Sequence, residues 1–105
     1  MCIRDSILTY WKPNKGSHIH NHGTSYGKIL VIDGEIIERN YAFDGEKMNS
    51  LHENTFPKET CLSVSPENFH SMTSGSKPTL TLHIYAPKIK KMCVYNEQTL
   101  SLIHI

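Results

Sequence analysis

An all-β sandwich or barrel is the fold class predicted for this chain of 105 residues, and three observations predict it. Short runs rich in Ile, Leu, Val, Thr and Tyr recur at intervals of roughly 8–12 residues, the spacing of strands in such folds. Turn residues separate the runs. No stretch carries the apolar period of an amphipathic helix, and no internal repeat is visible.

The runs follow in order. "ILTYW" (7–11) precedes the turn "KPNKG", and "SHIHNH" (17–22) precedes "GTSYG". "KILVI" (28–32) meets Asp33–Gly34, a two-residue hairpin signal from which "EIIERNYAF" (35–43) is expected to return. Asp44–Gly45 opens another turn. "CLSVS" (61–65), a short piece around His70, "TLTLHIYA" (79–86) and "KMCVY" (91–95) complete the set, with "SGSKP" as a turn. Roughly eight strands result. The polar stretch "NSLHEN" is read as surface, and His52 with it. Within "TLTLHIYA" alternation sorts Leu80, Leu82, Ile84 and Ala86 onto one face and Thr79, Thr81, His83 and Tyr85 onto the other. The hydroxyl-rich, aromatic second face is a candidate site wall.

Composition narrows the function classes. A formal net charge of +1 and a longest basic cluster of only "KIKK" (88–91) leave no landing strip for nucleic acid or an anionic membrane. No run approaches the roughly 18 apolar residues of a membrane span, and no leader peptide is legible. Cys2, Cys61 and Cys93 lie too far apart for a disulfide scaffold or zinc knuckle, so a reducing cytoplasm is expected, with Cys61 and Cys93 as small buried hydrophobes. The ends "MCIRDS" and "LSLIHI" resemble translated sequencing-adaptor tails. Residues 7–99 are therefore expected to form the genuine domain, with 1–6 and 100–105 non-native. The chain is expected to be an N-terminally truncated piece that folds poorly and has little activity alone.

His18, His20 and His22 alternate within five residues. Side chains at i and i+2 of a strand share a face roughly 6.6 Å apart, close enough for two imidazoles to meet on one metal ion. His20 with His22 satisfies this, as does His18 with His20, and His70 is the candidate third ligand. No Asp or Glu stands between Gly23 and Gly27, so a site of two histidines and a carboxylate has no local third ligand. Three neutral imidazoles would leave the ion its full charge and open positions, which favours anionic ligands, a thiolate above all. Zinc with three histidines and a water fits the same residues.

"GSHIHNHGTSYGKILVIDGEIIE" resembles the first motif of the cupin superfamily, with a histidine pair and a seven-residue step from Gly27 to Gly34. "IHNHG", "FH" at 69–70 and "TLHIYAP" at 81–87 resemble the cysteine dioxygenase family, the thiol dioxygenase branch of that superfamily, in order and at similar spacing. The likeness covers roughly Trp11 to Asn96. It implies a cupin-type double-stranded β-helix, or jelly-roll barrel, incomplete at its N-terminus. It makes His20, His22 and His70 ligands of Fe(II), Tyr85 the active-site phenol and His83 its hydrogen-bonded neighbour. Thr81 occupies the position of the family's usual serine. Gly27 stands where the animal enzymes carry a cysteine cross-linked to the tyrosine, a bacterial-type feature.

Other positions depart from the pattern. His18 replaces a small residue and competes as a ligand. Ser74 stands where an asparagine is common. The arginine that clamps the substrate carboxylate belongs to a segment outside this sequence, and Arg39 is not assigned that role. The resemblance implies oxidation of L-cysteine by O2 to cysteine sulfinic acid, in a monomeric chain. The alternatives are a dioxygenase of 3-mercaptopropionate or another thiol, and a non-catalytic metal-binding cupin. A metal hydrolase or isomerase would want a general-base carboxylate that is not placed here.

Overall fold

The computed structural model describes residues 5–21, 23, 26–65, 68–86, 93–96 and 101–104. The described residues form ten strands: β1 (Asp5–Trp11), β2 (Ile19–His20), β3 (Tyr26–Asp33), β4 (Glu35–Phe43), β5 (Met48–Pro57), β6 (Cys61–Val64), β7 (Phe69–Ser74), β8 (Thr79–Ala86), β9 (Cys93–Asn96) and β10 (Ser101–His104). They build two antiparallel sheets, one in the order β1-β8-β3-β6 and the other β10-β9-β2-β7-β4-β5. Alternate residues of each sheet point between the two layers, so one face of every central strand is buried.

The apolar core lies between the two sheets. Ile29 and Val31 of β3, Leu62 and Val64 of β6, Ile36 of β4 and Met72 of β7 form one cluster, with Trp11 and Phe56 packed against it. Cross-strand register sets the composition. Gly27, Ile29 and Val31 face Tyr85, His83 and Thr81 of β8, while Asn40 and Ile36 face His70 and Ser74 of β7. The interior therefore sets the polar residues of β8 directly beside the aliphatic residues of β3.

The Asp33–Gly34 step is not a hairpin. β3 belongs to the four-stranded sheet and β4 to the six-stranded one, so the chain crosses between layers there. Gly34 has φ +80°, and a Cβ on it would strike Thr79 and the Pro78 carbonyl. The Thr79 hydroxyl ties this corner, donating to Glu35 O (3.0 Å) and accepting from Glu35 N (3.1 Å). Asp44–Gly45 does turn a hairpin, joining β4 to β5. Asp44 Oδ1 accepts from the amides of Glu46 and Lys47, both at 2.9 Å, and Oδ2 accepts from Asn49 Nδ2 (3.2 Å).

β5 contains the stretch read as plain surface. It is an edge strand hydrogen-bonded to β4, nearly all its side chains are exposed, and Phe56 alone reaches the core. With polar residues on both faces it offers no alternation to read. His52 is exposed, as expected. β10 pairs with β9 from Ser101↔Asn96 to His104↔Cys93. Cys61 is exposed rather than buried, because it falls on the outer face of β6 beside the inward Leu62.

Alternation in β8 holds, but the sense of the faces is the reverse of the usual one. Thr79, Thr81, His83 and Tyr85 are buried, whereas Ile84 is 41% exposed and Leu80, Leu82 and Ala86 are only partly covered. Leu8 and Tyr10 of β1, paired with Leu82 and Leu80, lie on the same outer face and are 62% and 64% exposed.

Candidate active site

β8 sends three polar side chains into the interior at a spacing of two residues, and they join into one hydrogen-bonded line. Thr81 Oγ1 lies 2.7 Å from His83 Nε2, and His83 Nδ1 lies 3.2 Å from the Tyr85 hydroxyl. β1 extends the line. Trp11 sits across from Thr79 at the end of the β1–β8 ladder, and its indole Nε1–H donates to Thr81 Oγ1 at 2.9 Å. Trp11 was not singled out from the sequence as a site residue. Its partner is 70 residues away, and only the sheet order puts the two side by side.

Burial sets the protonation states along this line. Desolvation pushes the His83 imidazole down from 6.5 to about 4, and His70 pushes in the same direction. Burial raises the Tyr85 phenol from 10.0 to about 12. At neutral pH His83 is therefore a neutral imidazole with one donor and one acceptor nitrogen, and Tyr85 keeps its proton.

The second group of side chains comes from the facing sheet. His20 of β2 pairs with His70 of β7, and their rings meet edge to face with centroids 4.8 Å apart. Each ring has its Nδ1 committed to an oxygen. His20 Nδ1 lies 2.7 Å from the His18 carbonyl, and His70 Nδ1 lies 2.7 Å from Glu38 Oε2. A carbonyl or carboxylate acceptor draws the ring proton to Nδ1, and in a neutral ring that leaves Nε2 with its lone pair. Burial, then the proximity of His70, lowers the His20 imidazole from 6.5 to about 4, so its neutral form prevails. Neutral imidazoles presenting Nε2 fit a first-row divalent metal ion, and the Nδ1 acceptors are the supports such ligands ordinarily have.

The predicted residues thus fall into three sets. Thr81, His83 and Tyr85 come together, and so do His20 and His70; His70 acts electrostatically on both His20 and His83, which makes the two groups neighbours. His22 lies outside the described residues, and among the described residues no three His, Cys, Asp or Glu side chains form a complete metal-binding group. His18 has an exposed side chain and contributes its carbonyl. Arg39 points to the outer face, where it pairs with Glu53 (2.6 Å).

Glu38 was not recognised from the sequence. It is 6% exposed, reaches His70 with Oε2 and takes a hydrogen bond from Asn40 Nδ2 on Oε1 (3.3 Å). A glutamate in the inward register of "EIIERNYAF", two residues after the buried Ile36, was the available signal.

Gly27 stands directly across from Tyr85, and a Cβ there would lie 2.6 Å from Tyr85 Cε1 and 2.7 Å from Cδ1. The phenol ring occupies the volume that a side chain would need. An open groove of about 520 Å³ lies nearby, lined by Asn21, Tyr41, Ala42, Phe43, Leu51, Asn68 and Phe69; Asn21 follows His20 and Phe69 precedes His70 in the chain.

The chain is similar to known proteins in sequence and in fold. Cysteine dioxygenase type 1 from Homo sapiens is 22% identical over 99 residues, covering 89% of this chain and 50% of that protein. The chain spans about half the length of the curated relatives it matches. Among solved structures, a protein with a double-stranded β-helix domain from Klebsiella pneumoniae subsp. pneumoniae MGH 78578 superposes with a TM-score of 0.73. That match has 15% identity and covers 90% of this chain and 71% of the other. A cupin domain from Schizosaccharomyces pombe superposes with a TM-score of 0.68 at 10% identity, covering 81% and 56%. The fold is thus the cupin-type double-stranded β-helix. The family described as Cysteine dioxygenase type I matches residues 4–98, nearly the whole sequence, and this chain belongs to it.

Proposed function

We propose that this chain carries the reaction centre of an iron-dependent thiol dioxygenase that converts L-cysteine and O2 to cysteine sulfinic acid. His20, His22 and His70 would hold Fe(II). The observation that carries the reading is the Trp11–Thr81–His83–Tyr85 line, buried from Thr81 to Tyr85, beside the His20–His70 pair. A metal kept only for structure has no use for a phenol and an imidazole in series next to it.

When bound, a ferrous ion would supply open coordination positions for a thiolate and dioxygen, the chemistry that oxidation of sulfur by O2 needs. The residues of the chain do the rest. Trp11 Nε1–H occupies one lone pair of Thr81 Oγ1, and the Thr81 hydroxyl proton is then directed to His83 Nε2. His83 Nδ1–H in turn donates to the Tyr85 oxygen, which turns the phenol proton towards the substrate. A phenol held near 12 stays protonated at neutral pH, so Tyr85 acts there as a hydrogen-bond donor. Burial of the β8 face also limits water around Thr81, His83 and Tyr85.

The test uses the full-length protein that carries this sequence, loaded anaerobically with ferrous iron. Oxygen uptake and sulfinate are followed by mass spectrometry, with L-cysteine and 3-mercaptopropionate offered separately. Sulfinate from cysteine in step with oxygen, abolished in His70→Ala, is expected. Sulfinate from 3-mercaptopropionate alone would change the substrate, and no uptake with either thiol at full iron occupancy would turn the reading to a non-catalytic binding module.

A further inference from the structure

We infer that Glu38 is a positioning residue that locks the His70 imidazole as its Nδ1–H tautomer and so fixes Nε2 as the ring's donor atom. The inference rests on the proposed metal role of His70 only for its consequence; the tautomer follows from geometry alone. Glu38 and His70 stand on adjacent strands, β4 and β7, one diagonal step apart, since Glu38 registers with Met72 and Asn40 with His70. Both side chains are almost fully buried, Glu38 only 8% exposed and His70 only 2%, and Oε2 lies 2.7 Å from Nδ1. An ionised carboxylate is an acceptor only, so the ring proton must sit on Nδ1.

A buried carboxylate is costly to keep, and Glu38 has partners that account for each oxygen. Oε2 takes the His70 proton, and Oε1 takes Asn40 Nδ2–H at 3.3 Å. Asn40 thereby engages the carboxylate oxygen that His70 does not. A surface placement of the same glutamate would avoid the desolvation cost, and the neighbouring Arg39 does face outward to pair with Glu53. The inward placement yields one particular arrangement: an imidazole unable to turn its N–H towards His20. Loss of such an outer partner typically weakens metal binding by roughly 10–100-fold.

The experiment has two readouts on the full-length protein and on Glu38→Gln, Glu38→Ala and Asn40→Ala. Histidine ring-nitrogen NMR of the metal-free protein reads the His70 tautomer. Chelator competition with Co(II) reads affinity without requiring turnover. The unaltered protein is expected to show Nδ1 protonated and Nε2 bare. Glu38→Ala is expected to lose the single tautomer and bind Co(II) about 10–100-fold more weakly. Glu38→Gln, which keeps the shape and one acceptor oxygen, is expected to fall between, and Asn40→Ala to stay nearer the unaltered protein. A His70 ring protonated on Nε2 in the unaltered protein overturns the inference, and so does unchanged tautomer and affinity in both Glu38 variants. A bare Nε2 that depends on Glu38, in a protein that binds no metal, sustains the assignment and refutes the iron reading.

Discussion

Replacing Thr81 by Val removes one hydroxyl and almost nothing else. Both residues are β-branched and similar in volume, so strand propensity and packing on β8 are retained. Thr81 is 0% exposed, and its Oγ1 satisfies two groups at once, Trp11 Nε1 at 2.9 Å and His83 Nε2 at 2.7 Å. Stranding a buried polar partner costs about 1–3 kcal/mol, and His83, 8% exposed, incurs that cost. Trp11 is only partly buried, so its indole N–H recovers part of its loss from water, and roughly 1 kcal/mol is assigned to it.

Thr81→Val is therefore expected to lose about 2–4 kcal/mol, a large share of the 5–15 kcal/mol typical of a domain. Thr81→Ser keeps the hydroxyl and gives up one methyl, at about 1 kcal/mol. Urea denaturation of the three proteins, with matched slopes, measures both. The order wild type, Ser, Val is the expected result. A Val variant within 0.5 kcal/mol of the wild type, or above Ser, would show that the Trp11–Thr81–His83 contacts contribute nothing net and would refute the reasoning.

Three further expectations can be checked by similar means. Gly27→Ala puts a Cβ 2.6 Å from Tyr85 Cε1 and 3.3 Å from Val64 Cβ, so the phenol ring must shift; a loss of about 1–3 kcal/mol is expected by denaturation, with reduced sulfinate formation. Ser74→Ala removes the hydroxyl that donates to Lys12 O (2.5 Å) and accepts from Lys15 N (2.9 Å), and faster amide exchange across residues 12–17 is expected by mass spectrometry. Asp44, lowered from 3.8 to about 2 chiefly by the backbone amides of Lys47 and Glu46, binds fewer protons folded than unfolded. Its contribution is then complete above about pH 4 and lost as pH falls towards 2. The stability gap between the wild type and Asp44→Ala, measured across that window, is expected to shrink in acid.

How much of this was legible beforehand follows from the range of each signal. Strands β4 and β8 match "EIIERNYAF" and "TLTLHIYA" residue for residue, because alternation and flanking turns are local properties of the chain. The same period of two puts Thr81, His83 and Tyr85 on one face, and in the structure they share one buried face. β5 escaped because a polar edge strand is defined by its ladder to β4 and not by its own pattern.

Tertiary structure decided the matters that depend on partners distant in sequence. Asp33–Gly34 specified a tight turn, but whether the next strand pairs with β3 or crosses to the other sheet depends on competing hydrogen-bond partners, and β6 and β8 take both edges of β3. The polar face of β8 turned inward, against simple hydrophobic ordering, because Trp11 and a line of internal hydrogen bonds satisfy its polar groups there. Glu38 meets His70 across 32 residues, a contact that no local pattern encodes. Local pattern placed most of the strands, the alternation within β8 and the side chains that each of its faces presents. Only the packing of two sheets decided which faces meet, since burial and hydrogen bonding reward contacts between residues and are indifferent to their separation along the chain.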